Sequence, residues 1–125
     1  MKGPKVVLIG AGSAFFGRQT IWSMVTKEAL RAGTLALVDT DRRKLAWMER
    51  IARRAIEAAG APLRLEASTD RRKVLKGADF VTLAFAHEGV KLRGVDADVS
   101  TRHGMTMCSA DTVGPGGILR TCREV

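Results

Sequence analysis

Short apolar runs alternate with longer amphipathic stretches along most of the chain. The runs are KVVLIG, TLALVD, LRLEAS and DFVTLAFA, at residues 5–10, 34–39, 63–68 and 79–86. Runs such as KVVLIG and DFVTLAFA, which are apolar almost throughout, are typical of strands buried on both faces of a sheet. The pattern therefore predicts four strands with helices between them.

The stretches between the runs repeat their apolar residues at helical spacing, which predicts amphipathic helices. The first is predicted to start at Ser13 and to end at Gly33, where a helix-ending glycine belongs. Its candidate buried residues are Phe16, Ile21, Trp22, Val25 and Leu30. The second is predicted to follow a capping Asp41 and to end at Gly60. Its candidate buried residues are Leu45, Met48, Ile51, Ala55 and Ile56.

Two shorter helices complete the pattern. One is predicted from Asp70 to the region of Gly77, and the other over VDADVSTRH at residues 95–103, closed by Gly104. Strands joined by helices of this length imply right-handed crossovers and a parallel sheet. The predicted fold is an α/β doubly wound sheet of the Rossmann type, with strand order 3-2-1-4. Complete sheets of this type continue to 3-2-1-4-5-6, so we expect this one to be truncated before its last strands and a C-terminal domain.

Composition limits the function classes. The chain has 125 residues, 46% apolar and 27% charged, so we expect one domain over residues 1–125. No apolar run approaches the roughly 20 residues of a membrane span, and the opening segment is too short for a signal peptide. Cys108 and Cys122 form no spaced metal pair, and they predict free thiols in a cytoplasmic protein.

The net charge of +8 makes a nucleic-acid partner worth testing against the pattern. Many of the basic residues lie on the second predicted helix: Arg42, Arg43, Lys44, Arg50, Arg53 and Arg54. No aromatic residues alternate with them as stacking platforms, and the chain contains no Tyr. The pattern is typical of a solvated helix face, so we expect no nucleic-acid partner.

The segment GAGSAFFG joins the first strand to the first helix. Backbone amides at a helix N-terminus bind a pyrophosphate, and the helix dipole favours its negative charge. Gly10 allows the tight turn, and Gly12 removes a side chain that would block the phosphates. Phe15 replaces the third glycine of the usual pattern, and Gly17 is positioned to relieve the helix–strand contact instead. The candidate cofactor-binding residues in this segment are Gly10, Gly12, Ser13, Ala14 and Phe15.

Asp39 ends the second predicted strand, where an acid accepts hydrogen bonds from the adenosine ribose hydroxyls of a dinucleotide. A carboxylate there also repels a 2′-phosphate, which favours NAD over NADP as the cofactor. Two alternatives stay open. Arg42 or Arg43 could turn back toward a 2′-phosphate, and Asp39 could simply cap the strand end or the following helix.

Five segments occur in the order and rough spacing of glycoside hydrolase family 4. They are VVLIGAGSAFF, LALVDTD, ADFVTLAF, RHG and ADTVGPGGILR. From about Lys5 to Arg123 the chain resembles the α-galactosidase (melibiase) branch of that family. The last segment is the most specific, because Asp-Thr-x-Gly-Pro-Gly-Gly is not a general nucleotide-binding pattern. The branch that acts on 6-phosphorylated glycosides carries an Asn-Glu type of signature there.

The resemblance implies a glycosidase that uses NAD and Mn²⁺ on an α-linked galactoside or glucoside. In the family, NAD⁺ removes a hydride from C3 of the sugar, a base removes the C2 proton, and the glycosidic bond breaks by elimination. Water then adds and the hydride returns, while the metal polarises the C2 and C3 oxygens. The expected partners are the sugar substrate and further copies of the chain in a homo-oligomer.

The resemblance also implies that Asp111, Thr112 and Gly116 form one wall of the sugar site. Asp111 would accept hydrogen bonds from sugar hydroxyls, or else only cap a terminal helix. The family's metal ligands, a Cys and a His, and its catalytic Tyr are expected beyond Val125. We therefore expect no catalytic residue and no metal ligand within these residues, and no glycosidase activity from the chain alone.

Two other function classes remain alternatives at this point. A plain NAD-dependent dehydrogenase of the malate or lactate dehydrogenase type has the same fold, although the segment DTVGPGG argues against it. A non-catalytic dinucleotide-sensing domain suits the short length, but it leaves ADTVGPGGILR unexplained.

Overall fold

A computed structural model of the chain describes residues 3–86, 89–105, 118 and 122. The chain divides into two compact units, Met1–Phe85 and Ala86–Val125. Among the described residues, the first unit holds the strands of the sheet and the helices between them. In the second unit, the described backbone forms a helix at residues 89–102.

In the described part of the chain the sheet contains four parallel strands, as the apolar runs predict. They are β1 (Lys5–Ile9), β2 (Thr34–Val38), β3 (Arg64–Ser68) and β4 (Phe80–Leu83). Their order is β3-β2-β1-β4, so the predicted order 3-2-1-4 is confirmed. The register pairs Val6 with Leu35 on one side and with Phe80 on the other. Parallel pairing brings the carboxyl ends of all four strands to one edge of the sheet.

The helices differ from the predicted ones at several ends. They are α1 (Phe16–Thr26), α2 (Glu28–Arg31), α3 (Arg42–Ala59) and α4 (Gly89–Arg102), with a 3₁₀ turn at Arg71–Lys73. The single first helix is therefore two helices, broken at the extended residue Lys27. The fourth begins at Gly89, earlier than the predicted Val95.

Two of the predicted helix-ending glycines behave differently from each other. Gly60 ends α3 in the left-handed region at φ 54°, as predicted. Gly33 lies just past the end of α2, at the place predicted for a helix-ending glycine, but it does so without a positive φ. Its actual constraint is crowding, because a Cβ there would collide with the backbone oxygen of Pro4.

The main core lies between the sheet and helices α1 and α3. Its buried helical residues are Gly17, Ile21, Met24 and Val25 of α1 and Leu45, Met48 and Ala52 of α3. The predicted burial of Phe16, Trp22 and Ile51 is wrong, since their exposed fractions are 55%, 67% and 41%. The buried residues of each helix recur every three or four positions and include Met24 in α1 and Ala52 in α3. The exposed side chains lie beside these buried stripes.

The opposite face of the sheet carries a smaller cluster. Val7, Ala36, Val38 and Val74 are buried there, with Ile9, Leu75 and Ala78 partly buried around them. All four residues of β4 are exposed, so the prediction that this strand is buried on both faces is wrong. The reason is its position at the side of the sheet, where neither hydrophobic cluster of the described residues includes a residue of β4. No helix in the described part of the chain is long and apolar enough to cross a bilayer.

Candidate functional site

The turn after β1 is held between the carboxyl ends of its two neighbouring strands. Gly10 has a φ of 87°, which favours glycine strongly. The amides of Gly10 and Ala11 both donate to the backbone oxygen of Val38, at 2.8 and 2.9 Å. On the other side, a Cβ on Gly10 would collide with the backbone oxygen of Ala84. The turn is therefore fixed by β2 and β4 together.

Ser13 organises the approach to α1. Its amide donates to the oxygen of Gly10 at 3.1 Å, and its own oxygen accepts from the amide of Gly17 at 2.8 Å. Its hydroxyl accepts from the amide of Phe16 at 3.2 Å. The amides of Ala14 and Phe15 donate to no acceptor among the described residues. Two unpartnered amides thus lie just before the first turn of a helix, where the dipole favours an anion.

Gly17 takes the packing role that the sequence assigns to it. The residue is buried, and a Cβ there would collide with the backbone oxygen of Ala11 and lie 2.5 Å from Cε of Met48. Phe15 stands at the usual third glycine position, and 65% of its surface is exposed. Close approach of α1 to the turn therefore depends on Gly17 and leaves position 15 free to carry a large side chain.

Asp39 is half-buried directly after β2, and its carboxylate faces the glycine turn. Oδ2 accepts a hydrogen bond from the amide of Gly12 at 2.7 Å, and Oδ1 accepts one from the amide of Asp41 at 2.9 Å. Each carboxylate oxygen keeps a further lone pair for another donor. The carboxylate is thus oriented from both sides before any ligand arrives.

Gly12 is constrained by the protein itself. A Cβ at this position would lie 2.7 Å from Oδ2 of Asp39 and 2.7 Å from Cβ of Lys44. The sequence explains Gly12 only by clearance for phosphates, and it does not reveal this contact. The spacing between a glycine and an aspartate that follow different strands carries no sign of a bond between them.

Asp41 caps α3, as predicted. Its Oδ1 accepts from the amides of Arg43 and Lys44, at 2.9 and 3.2 Å. The bond from the amide of Lys44 is the main cause that lowers the pKa of Asp41. The bond from the amide of Arg43 and the positive charges of both residues lower it further, although desolvation opposes them. Arg42 and Arg43 are exposed at the start of this helix, on the same edge of the sheet as Asp39.

The predicted sugar-site residues lie outside the described part of the chain. These residues are Asp111, Thr112 and Gly116, and Cys108 lies outside it as well. Cys122 is described and is an exposed free thiol. Among the described residues, no three His, Cys, Asp or Glu side chains lie close enough together to hold a metal ion. The structure therefore brings together the predicted cofactor residues only: Gly10, Gly12, Ser13, Ala14, Phe15 and Asp39.

Solved structures with the same fold include glycosidases that bind dinucleotides. A 6-phospho-alpha-glucosidase from gut microorganisms, in complex with NAD and Mn²⁺, superposes with a TM-score of 0.71. It is 23% identical, and the match covers 98% of this chain and 28% of that one. At this identity the similarity establishes the fold alone.

Sequence relatives narrow the family. The chain is 33% identical over 121 residues to an alpha-galactosidase of Rhizobium meliloti, covering 97% of this chain and 25% of that protein. It is also 33% identical over 126 residues to a probable 6-phospho-beta-glucosidase of Bacillus subtilis, covering 99% and 28%. The chain thus spans about a quarter of the length of these relatives. The model of the family described as "Family 4 glycosyl hydrolase" matches residues 5–125, and the chain belongs to that family.

Proposed function

We propose that this chain is the NAD-binding part of a family 4 glycosidase. The turn from Gly10 to Phe15 would hold the pyrophosphate, and Asp39 would accept hydrogen bonds from the adenosine ribose. The observation that carries the proposal is the pair of unpartnered amides at Ala14 and Phe15, in the same turn whose Gly12 amide donates to the half-buried carboxylate of Asp39. Family membership makes a dehydrogenase of the malate or lactate type the weaker alternative.

The site fits a dinucleotide on two counts. The unpartnered amides lie at the N-terminus of α1, an arrangement that suits the negative charge of a pyrophosphate. Asp39 lies at the end of the neighbouring strand, with lone pairs left for ribose hydroxyls. A bound dinucleotide would supply hydride transfer, and the residues of this chain would bind and orient it.

The carboxylate of Asp39 also supports NAD as the cofactor in preference to NADP. Its negative charge would repel a 2′-phosphate on the ribose that it contacts. Arg42 and Arg43 are the features that favour NADP, because both are exposed on the same edge of the sheet. We give Asp39 priority, since its carboxylate is held in place by two amides.

The sugar substrate is proposed to be an unphosphorylated α-galactoside or a related α-glucoside. Equal identities to an alpha-galactosidase and to a probable 6-phospho-beta-glucosidase leave this choice to the segment at residues 111–117. Its Asp-Thr-x-Gly-Pro-Gly-Gly form matches the branch that acts on unphosphorylated sugars. Asp111, Thr112 and Gly116 are the proposed substrate contacts. The Mn²⁺ part of the proposal rests on the family, because the described residues offer no cluster that could hold the ion.

Calorimetric titration of the chain with NAD⁺ and NADP⁺ tests the cofactor assignment. We expect NAD⁺ to bind more tightly, and Asp39→Ala to weaken it. Tighter binding of NADP⁺ would contradict the assignment of Asp39.

The substrate assignment is tested by measuring turnover in a longer protein. In that protein this chain is followed by the part of a family 4 glycosidase that the chain does not span. We expect cleavage of 4-nitrophenyl α-galactoside in preference to its 6-phosphate. Asp111→Asn should lower turnover and leave the melting temperature nearly unchanged, because Asn also caps helices well. Turnover and melting temperature that both stay unchanged would favour the capping role instead, because Asn keeps a cap and loses only the charge.

A further inference from the structure

Asp39 holds the glycine turn as well as facing the proposed ribose site. Oδ2 accepts from the amide of Gly12 at 2.7 Å, a short bond between groups 27 residues apart in the sequence. Oδ1 accepts from the amide of Asp41 at 2.9 Å, which ties the same carboxylate to the start of α3. The bond to Gly12 therefore joins the turn after β1 to the turn after β2.

The turn has little freedom to move away from this contact. Cβ of Lys44 packs against Gly12 beside Oδ2 of Asp39, so that neither atom leaves room for a Cβ at Gly12. The peptide groups that follow Gly12 lead directly to the unpartnered amides of Ala14 and Phe15. The direction of the Gly12 amide, together with the bonds that Ser13 makes, thus sets where those two amides point.

We propose that Asp39 is a positioning residue for the pyrophosphate-binding amides, acting through Gly12. This inference rests on the proposed function, because it concerns the same dinucleotide site. It adds that removing the carboxylate weakens binding of the pyrophosphate group itself, and not only the hydrogen bonds to the ribose.

Electrostatics alone predicts the opposite change in anion affinity. Asp39 carries a negative charge close to the proposed anion site, so replacing it with a neutral residue removes a repulsion. An anion would then bind more tightly. Asp39→Asn keeps the size of the side chain, but Asn has one acceptor oxygen and presents an NH₂ group to one of the two amides. If positioning dominates, the same substitution weakens anion binding.

Asp79 provides a matched control at the opposite edge of the same sheet. Its Oδ2 accepts from the amide of Lys5 at 2.7 Å, the same type of bond at the same length. Asp79 lies before β4 and is more exposed than Asp39. Asp79→Asn therefore removes an equal charge without touching the glycine turn, while its one acceptor oxygen can still accept from the amide of Lys5.

The experiment compares inorganic pyrophosphate and NAD⁺ binding to the wild-type chain, Asp39→Asn and Asp79→Asn by NMR titration. Pyrophosphate has no ribose, so it reports the amides alone. We expect its affinity to fall about tenfold in Asp39→Asn, the order of one charge-assisted hydrogen bond, and to stay within about twofold in Asp79→Asn. Pyrophosphate affinity that is unchanged or raised in Asp39→Asn, or undetectable in the wild type, would overturn the inference.

The proposed function has its own outcome in the same experiment. If the wild type binds NAD⁺ and pyrophosphate affinity is the same in the wild type and Asp39→Asn, the cofactor assignment stands and the positioning role fails. If the wild type does not bind NAD⁺, the cofactor assignment fails.

Amide hydrogen exchange in the wild type covers the case in which Asp39→Asn does not fold. The amide of Gly12 should exchange more slowly than those of Ala14 and Phe15, because only Gly12 donates to a held carboxylate. Equal exchange rates at the three amides would overturn the proposal without any variant.

Discussion

The two edges of the sheet are built from the same parts but leave different groups unsatisfied. At the carboxyl edge, Gly10 is crowded by the backbone oxygen of Ala84, and Asp39 accepts a backbone amide at 2.7 Å. At the amino edge, Gly33 is crowded by the backbone oxygen of Pro4, and Asp79 accepts a backbone amide at 2.7 Å. A glycine and an aspartate in these positions therefore do not identify a binding site by themselves.

The difference between the edges lies in what remains without a partner. At the amino edge, Nζ of Lys5 lies 3.0 Å from Oε2 of Glu66 and donates to the oxygen of Lys76 at 3.2 Å. This edge has a cleft of about 880 Å³, but these charged groups are paired across it. At the carboxyl edge, the amides of Ala14 and Phe15 have no described partner and precede a helix. Unpaired donors distinguish the candidate site better than cavity size does.

Substitution of Gly10 at the carboxyl edge should have the largest effect, on both stability and NAD⁺ binding. Gly10→Ala places a side chain at a φ of 87° and against the oxygen of Ala84. We expect a loss of at least about 2 kcal/mol in the free energy of unfolding, together with loss of NAD⁺ binding. Urea unfolding and NAD⁺ titration measure the two effects. Normal NAD⁺ affinity in this variant would mean that the turn does not shape the site.

Substitution of Gly33 separates stability from binding. Gly33→Ala meets the oxygen of Pro4 at the amino edge, and overpacking of this kind costs about 1–3 kcal/mol. NAD⁺ affinity of the folded protein should be unchanged, because the turn after β1 lies at the other edge. The same unfolding and titration measurements apply. A parallel loss of affinity would show that the two edges are coupled.

Gly60 isolates the backbone part of the Gly10 effect. It has a φ of 54° at the end of α3, and a Cβ there would have nothing within 4 Å. Gly60→Ala should therefore cost about 1 kcal/mol, from the left-handed conformation alone. The excess of Gly10→Ala over this value in urea unfolding measures the collision with Ala84. Equal costs at the two positions would mean that the collision contributes nothing.

Asp70 should give the smallest effect, at the carboxyl end of β3 outside the glycine turn. The side chain of Arg72 lowers the pKa of Asp70 from 3.8 to about 2. A lowered pKa stabilises the folded protein at pH values above the ordinary pKa of 3.8. That contribution is lost as the pH falls from 3.8 toward 2. Asp70→Asn should flatten this part of the curve of unfolding free energy against pH. An unchanged curve would show that the exposed ion pair contributes nothing measurable.

Hydrophobic periodicity predicts the elements and their order better than it predicts which side chains are buried. The four strands and their order follow from runs such as KVVLIG joined by amphipathic stretches. The exposure of Trp22 and Ile51 could not be predicted from the sequence. A large apolar residue beside the buried stripe of a helix also lies three or four positions from members of that stripe. Exposure of β4 likewise depends on its place at the side of the sheet.

The candidate site shows the same limit. A strand, a glycine turn and a helix followed by an aspartate at the next strand end indicate a dinucleotide site, and the structure brings those residues together. The bond from Gly12 to Asp39 and the crowding of Gly33 by Pro4 both cross between strands. Contacts of this kind depend on register in three dimensions, which residue types along one chain do not specify.

The most direct test of the proposed NAD site is an NMR titration of the labelled chain with NAD⁺, followed at individual backbone amides. The largest chemical-shift changes should occur at Ala14 and Phe15, with smaller ones at Gly12, and none at Lys5 or Gly33 on the opposite edge. Saturable changes confined to the first group would support the carboxyl edge as the dinucleotide site. Absence of saturable change at Ala14 and Phe15, or changes centred on Lys5 and Gly33, would contradict it.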